Sequence, residues 1–132
     1  MKKDEIIAKL SAFPYDRRAY WVVTGAAMVL YGIRDEASDI DMGCTAEMAD
    51  RLEADGYLYR VKPDGTRWFK IGGDMEAFEN WVYDSVVITE GVQVISLTGL
   101  REMKRKIGRE KDLRDIRLID EYIARLSGGS KS

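Results

Sequence analysis

Between Tyr20 and Cys44 the chain reads YWVVTGAAMVLYGIRDEASDIDMGC. A β-rich stretch (20–24) breaks at Gly25, a short apolar run (26–32) closes on Gly32, and a second stretch (38–44) carries two aspartates one residue apart. This spacing predicts a buried strand, a short buried helix stopped by glycine, and a second strand. In a strand, residues i and i+2 leave the same face, so Asp39 and Asp41 stand side by side while Ile40 packs behind. Two bare carboxylates that close repel each other, and one is pushed toward protonation. A divalent cation resolves the conflict, because magnesium is held through one or two carboxylates plus substrate phosphates. Upstream, the turn Thr24-Gly25-Ala26 at a helix start offers backbone N–H groups and a helix dipole to a phosphate. Strand–glycine–helix junctions are common, and an isolated Asp-x-Asp is more often surface than site. Their combination at this spacing is far more specific.

Composition narrows the chemistry. The 132 residues contain no histidine and one cysteine, Cys44. Histidine-based triads, histidine general bases and histidine metal sites are excluded, which leaves carboxylates, lysines, arginines, hydroxyls and an oxygen-ligated hard cation. A lone cysteine permits no internal disulfide and reads as a small buried filler. With no signal-peptide pattern at the N-terminus and no apolar run of roughly 20 residues, the expected compartment is the cytoplasm, away from the membrane. The formal net charge of −2 is uneven: Arg101–Arg117 holds eight bases against four acids, leaving −6 elsewhere. A basic element against an acidic body suits a phosphate-rich ligand beside a metal, although a solvated helix face is the commoner reading of such a run taken alone.

The rest of the chain predicts an α/β (α+β) fold: a mixed sheet flanked by helices, ending in two helices. Residues 3–12 and 45–56 are amphipathic helices, the second with Thr45 as N-cap and Gly56 as stop. Strands are expected at 57–61 and 67–71 around KPDGT, at 74–80 after Gly72-Gly73, and at 85–89 and 92–97 around Glu90-Gly91. Helices follow at 98–108 and 110–126. One domain thus spans 1–126, and 127–132 form a disordered tail. The sequence shows no internal repeat and no linker.

These residues carry a resemblance. The glycine turn (Gly25-Ala26), short helix and hydrophobic-flanked Asp39-Ile40-Asp41 resemble the nucleotidyltransferase superfamily of the DNA polymerase β type. The segment SLTGLREMKRKIGREKDLRDIRLI resembles the C-terminal pattern of small bacterial members related to lincosamide nucleotidyltransferases and abortive-infection proteins. The likeness spans roughly 20–119. It implies a nucleotidyltransferase-type mixed sheet and transfer of a nucleoside monophosphate from a nucleoside triphosphate, such as ATP, to a hydroxyl, with Mg2+ or Mn2+. One departure stands out: Ala26 replaces the family's second glycine or serine, so a serine hydroxyl contact to phosphate is lost.

The resemblance also implies a third carboxylate on a neighbouring strand. Asp74 and Glu76 share a face of 74–80, so alternation does not separate them. Glu76, flanked by Met75 and Ala77, matches the hydrophobic–acid–hydrophobic pattern and is preferred as general base or metal ligand, with Asp74 as the alternative. Catalytic and metal candidates are therefore Asp39, Asp41 and Glu76. Phosphate-binding candidates are Thr24, Gly25, Ala26, Arg34, Ser38, Lys104 and Arg109. Lys104 aligns with a family lysine, whereas a bare helix lysine is more often solvated. Arg109, Lys111, Asp112 and Asp115 form a charge network bracing the last helices. Trp68, Trp81 and Tyr83 offer rings to a base or acceptor, against the commoner role of core or edge cover. The implied partners are a nucleoside triphosphate and an unknown acceptor (small molecule, RNA or protein), with an oligomer or partner protein completing the site. The alternative is a catalytically weak relative that binds nucleotide or a partner, as in a toxin–antitoxin pair.

Overall fold

The structure, a computed structural model, describes residues 1–129. Strand β1 (Tyr20–Val23) is buried along its length and ends one residue before expected. Thr24 opens α2 (Thr24–Tyr31) from a left-handed backbone, φ +54°, so the helix begins two residues earlier than its apolar run indicated. Gly32, at φ +83°, closes it with its N–H on the Met28 and Val29 carbonyls. Strand β2 (Ile40–Cys44) starts later than predicted: Asp39 lies in the bend before it, and the Ile40 N–H reaches the Asp74 carbonyl at 2.8 Å.

The remaining elements follow the sequence closely. Helix α1 spans Lys3–Ala12, and α3 spans Ala46–Ala54, where the Thr45 hydroxyl accepts from the Met48 N–H. Strands β3 (Tyr59–Val61), β4 (Arg67–Ile71) and β5 (Met75–Glu79) form a meander; β3 is shorter than expected, and Asp74 falls in the turn rather than in β5. Strands β6 (Val86–Thr89) and β7 (Val92–Ile95) join through Glu90-Gly91, both at positive φ, the two-residue geometry that suits a twisted hairpin. Helix α4 (Leu97–Ile107) is capped by the Ser96 hydroxyl and closed by Gly108 at φ +69°. Helix α5 runs Glu110–Gly129, three residues past the predicted Leu126 end, and 130–132 of the expected tail lie outside the described residues.

The seven strands form one mixed sheet in the order β3-β4-β5-β2-β1-β7-β6. At its centre β1 runs antiparallel to β2, β2 parallel to β5 and β1 parallel to β7. Helix α2 packs on β1 and β2 and touches α1 and α4, while α4 packs on α5. The core joins Ile6 and Leu10 of α1, Met28 and Leu30 of α2, and sheet residues such as Ile40, Met42 and Phe69, all at most 1% exposed. Cys44 is fully buried among them, as its filler role predicts, and burial pushes its thiol up to about 12. Gly43 is required by packing: a Cβ there would stand 2.1 Å from Trp21 Nε1 and 2.4 Å from the Trp81 carbonyl, which hydrogen-bond each other. Among the described residues no helix is long and apolar enough to cross a membrane.

Candidate functional site

Strand register assembles the acidic centre. Asp41 of β2 lies opposite Val23 of β1 on one side and Glu76 of β5 on the other. Ligand oxygens of Asp39, Asp41 and Glu76 lie within 4.8 Å of one another, with Asp39 exposed and the other two half-buried. Two oxygens on opposite sides of a cation at about 2.0–2.5 Å stand roughly 4–5 Å apart, so the spacing fits one hard cation. Asp41 Oδ2 accepts from the Thr24 hydroxyl at 2.9 Å, while Oδ1 is buried with no partner. A buried carboxylate oxygen left bare is costly, and a cation is the partner that its neighbours suit. Burial pushes the Asp41 carboxyl up to about 6 against the Thr24 hydrogen bond, and the charges of Asp39 and Glu76 push the same way. That is the like-charge conflict expected from the sequence, and a bound cation removes it.

Asp74 takes no part in the cluster. From its turn it pairs with Lys9 of α1 at 2.7 Å. Glu76 is instead approached by Lys70, in register with it on β4, at 3.8 Å.

A cleft of ≈ 340 Å³ opens beside Asp39 and Asp41. The start of α2, the loop before β2 and the α4–α5 junction wall it, and Thr24, Gly25, Arg34, Ser38, Lys104 and Arg109 all line it. Gly25 lets Arg34 cross the helix start, since a Cβ there would meet the Arg34 guanidinium at 3.1 Å. Ala26 is the exception among the phosphate candidates. It has no accessible surface, because starting α2 at Thr24 turns Ala26 into the core, so donation at the turn falls to Thr24 and Gly25.

The cationic wall is already paired. Lys104, 3% exposed, lies between Asp112 (3.3 Å) and Asp115 (3.0 Å). Arg34 also binds Asp115, and Arg109 binds Asp112 at 2.6 Å. Burial would raise the Asp112 carboxyl, but hydrogen bonds from Arg109 and the charge of Lys104 outweigh it and hold it below its ordinary value. The expected brace of α4 and α5 therefore exists, with Lys104 at its centre, whereas Lys111 lines the cleft and makes no ion pair among the described residues. Of the aromatic candidates, Trp68 stacks on Phe78 with centroids 5.5 Å apart, and Trp81 meets Phe78 edge-on and lines the cleft. Tyr83 packs partly buried against the core, its carbonyl over Gly99. Sequence reasoning missed the Thr24–Asp41 bond and the place of Lys111. A hydroxyl residue between strand and helix, facing an acid on the adjacent strand, was the available signal for the first.

No family model matches the chain, and no curated protein matches it. Among solved structures, the chain is similar to the crystal structure of a "putative nucleotidyltransferase" from Thermotoga maritima. The two are 20% identical with a TM-score of 0.59, over 89% of this chain and 93% of that one. At that identity the likeness establishes the fold: a nucleotidyltransferase-like mixed sheet flanked by helices.

Proposed function

We propose that the chain is a metal-dependent nucleotidyltransferase that moves a nucleoside monophosphate from a nucleoside triphosphate to an acceptor hydroxyl. The observation that carries this reading is the triad Asp39, Asp41 and Glu76, with the bare Asp41 Oδ1, at the edge of a cation-walled cleft. Asp39 and Asp41 would hold Mg2+ or Mn2+, which would supply charge neutralisation for a transferring phosphoryl group. The cleft volume lies in the range of small-ligand sites, about 300–1,000 Å³. Gly25 and the start of α2 offer backbone N–H groups to the phosphates, with Arg34, Arg109 and Lys111 as charges around them. Glu76, on the far side of Asp41 from that cleft, would accept the proton of the acceptor hydroxyl. The C-terminal sequence pattern favours a place near the small bacterial lincosamide and abortive-infection relatives.

One observation favours a second reading. Arg34, Lys104 and Arg109 are all ion-paired with Asp112 and Asp115, which leaves a net charge of only +1 among the five groups, so a triphosphate competes with carboxylates already in place. With Ala26 buried, this suits a relative that binds nucleotide or a partner and turns over weakly. Incubation with labelled triphosphates, Mg2+ and cell extract separates the two. Under the enzyme reading, Glu76→Gln keeps metal-dependent nucleotide binding while transfer falls by roughly 10²–10⁴-fold. Asp41→Asn loses binding and transfer together. Binding by the unsubstituted chain without transfer to any acceptor selects the second reading, and transfer unaffected by both substitutions refutes the first.

A further inference from the structure

Helix α5 has two faces of different chemistry. Asp112, Asp115 and Ile119 are buried and Ile123 packs against the core, so α5 docks on α4 along that side. On the opposite side Glu110, Arg114, Arg117, Glu121 and Arg125 are all exposed. Successive members stand three or four residues apart, and residues at those separations are neighbours on a helix surface, so the five form one row along α5. Leu118, 39% exposed, flanks the middle of the row.

The row holds charges that the chain itself does not satisfy. Glu110 and Arg114, Arg117 and Glu121, and Glu121 and Arg125 have the spacing of ordinary intrahelical pairs. None of these side chains makes an ion pair among the described residues. Arg125 lies over the Tyr122 ring instead, 6.0 Å from its centroid, and the neighbouring Asp120 is taken by Arg101 of α4 at 2.8 Å. The order of the charges then selects how a second such helix can lie on this one. Parallel alignment sets every charge against its own copy. Antiparallel alignment about a two-fold axis between Arg117 and Leu118 sets Glu110 against the partner's Arg125 and Arg114 against the partner's Glu121, and the symmetry repeats both contacts. Slipping by one turn, about four residues, brings Arg114 against the partner's Arg117 in one direction and the partner's Arg125 in the other. The helix is complementary to itself in one register, with Arg117 one turn from the partner's Glu121 and Leu118 beside the partner's Leu118 near the axis.

We propose that the outer face of α5 is a self-association surface, on which a second copy of the chain docks with its α5 antiparallel. A single helix pair belongs to the low end of interface sizes, below about 1,200 Å², so the dimer is weak and reversible. Because charges hold its register, it is also salt-sensitive. The pairing brings the partner's Arg125 to Glu110, the residue between Arg109 and Lys111 of the nucleotide cleft. Association needs neither metal nor nucleotide, so it stands apart from the transfer reading.

Sedimentation velocity of the full chain over a range of concentrations, at low and high salt, tests the surface. The sedimentation coefficient rises with concentration at low salt, and high salt returns the protein toward monomer. Arg114→Glu sets acid against the partner's Glu121, and Glu121→Arg sets base against the partner's Arg114. Each alone weakens association by roughly 10-fold or more, the consequence of like charges facing each other. Both positions are exposed, and circular dichroism checks that each variant folds. Mixing the two single variants restores the dimer, because each supplies the charge that the other lacks, and R114E/E121R pairs with itself. A chain that is monomeric at every concentration in low salt overturns the proposal. A mixture of the single variants that stays monomeric overturns it too. So does a dimer that neither reversal weakens, which moves the contact to another surface, such as the edge strand β6 with Ile88 76% exposed.

Discussion

The Thr24 hydroxyl donates to Oδ2 of Asp41 at 2.9 Å from a backbone at φ +54°, a region that β-branched residues rarely occupy. Such a conformation costs on the order of 1–3 kcal/mol, and the same residue orients the buried acid. The bond occupies one carboxylate oxygen and leaves Oδ1 for a cation. Thr24→Val keeps the shape and removes the donor. The expected loss of metal-dependent nucleotide affinity is about 10-fold or more, from a charged hydrogen bond worth ~1.5–3 kcal/mol. Thr24→Ser keeps the donor and retains affinity. Calorimetric titration with triphosphate and Mg2+ checks both, and equal affinity in all three proteins removes the positioning role.

Asp41 also sets a pH dependence of the metal-free protein. Its carboxyl ionises near 3.8 when unfolded and near 6 when folded. Between those values the folded state binds the extra proton, so the Asp41 contribution is fully present below about pH 4 and is lost as pH rises through about 6. In metal-free thermal melts, Asp41→Asn removes this decline, and the variant melts above wild type at pH 7 while the two converge near pH 4. Mg2+ favours the ionised form and flattens the wild-type profile alone. A wild-type profile unchanged by both metal and substitution contradicts the assignment.

The third carboxylate is separable from its neighbour by position. Asp74 pairs with Lys9 on a half-exposed surface, where an ion pair is worth about 0–1 kcal/mol. Asp74→Asn therefore leaves transfer within about twofold of wild type and shifts the melting temperature little. Glu76→Gln leaves the melting temperature similarly close and abolishes most transfer. Activity lost with Asp74→Asn and kept with Glu76→Gln reverses the assignment.

How much of this was legible in the sequence depends on the range of each interaction. The Asp39–Asp41 pair, the Gly32 stop, the Thr45 cap and the Glu90-Gly91 hairpin are local, and each follows from neighbours within a few residues. Glu76 against Asp74 was undecidable by alternation. What settles their places is that the Gly72-Gly73 turn takes a third residue, which follows from the register of β4 against β5. Ala26 was misjudged because the helix start moved to Thr24, a residue whose intrinsic preference argues against that conformation. Strand order, the pairing of Arg34 with Asp115 and the stacking of Trp68 on Phe78 across β4 and β5 depend on contacts beyond neighbouring residues. No periodicity records them.

Lys104 shows how a ligand candidate also becomes a structural element. Its ammonium is buried between Asp112 and Asp115, which tie α5 to α4, and Asp115 in turn holds Arg34 over the start of α2. Removing the lysine charge leaves two buried carboxylates with Arg34 and Arg109 as their remaining partners. Breaking a buried ion pair from one side typically costs about 3–5 kcal/mol. Lys104→Met is thus expected to lower the melting temperature by roughly 10–20 °C for a domain of this size. Lys104→Met with Asp112→Asn recovers part of that loss, because it removes one stranded charge. Transfer assayed well below the melting temperature then separates the two roles. If Lys104 also binds phosphate, the double variant stays inactive after its stability returns; if Lys104 only braces the helices, activity returns with the fold. A Lys104→Met protein that melts with wild type would show that the lysine braces nothing.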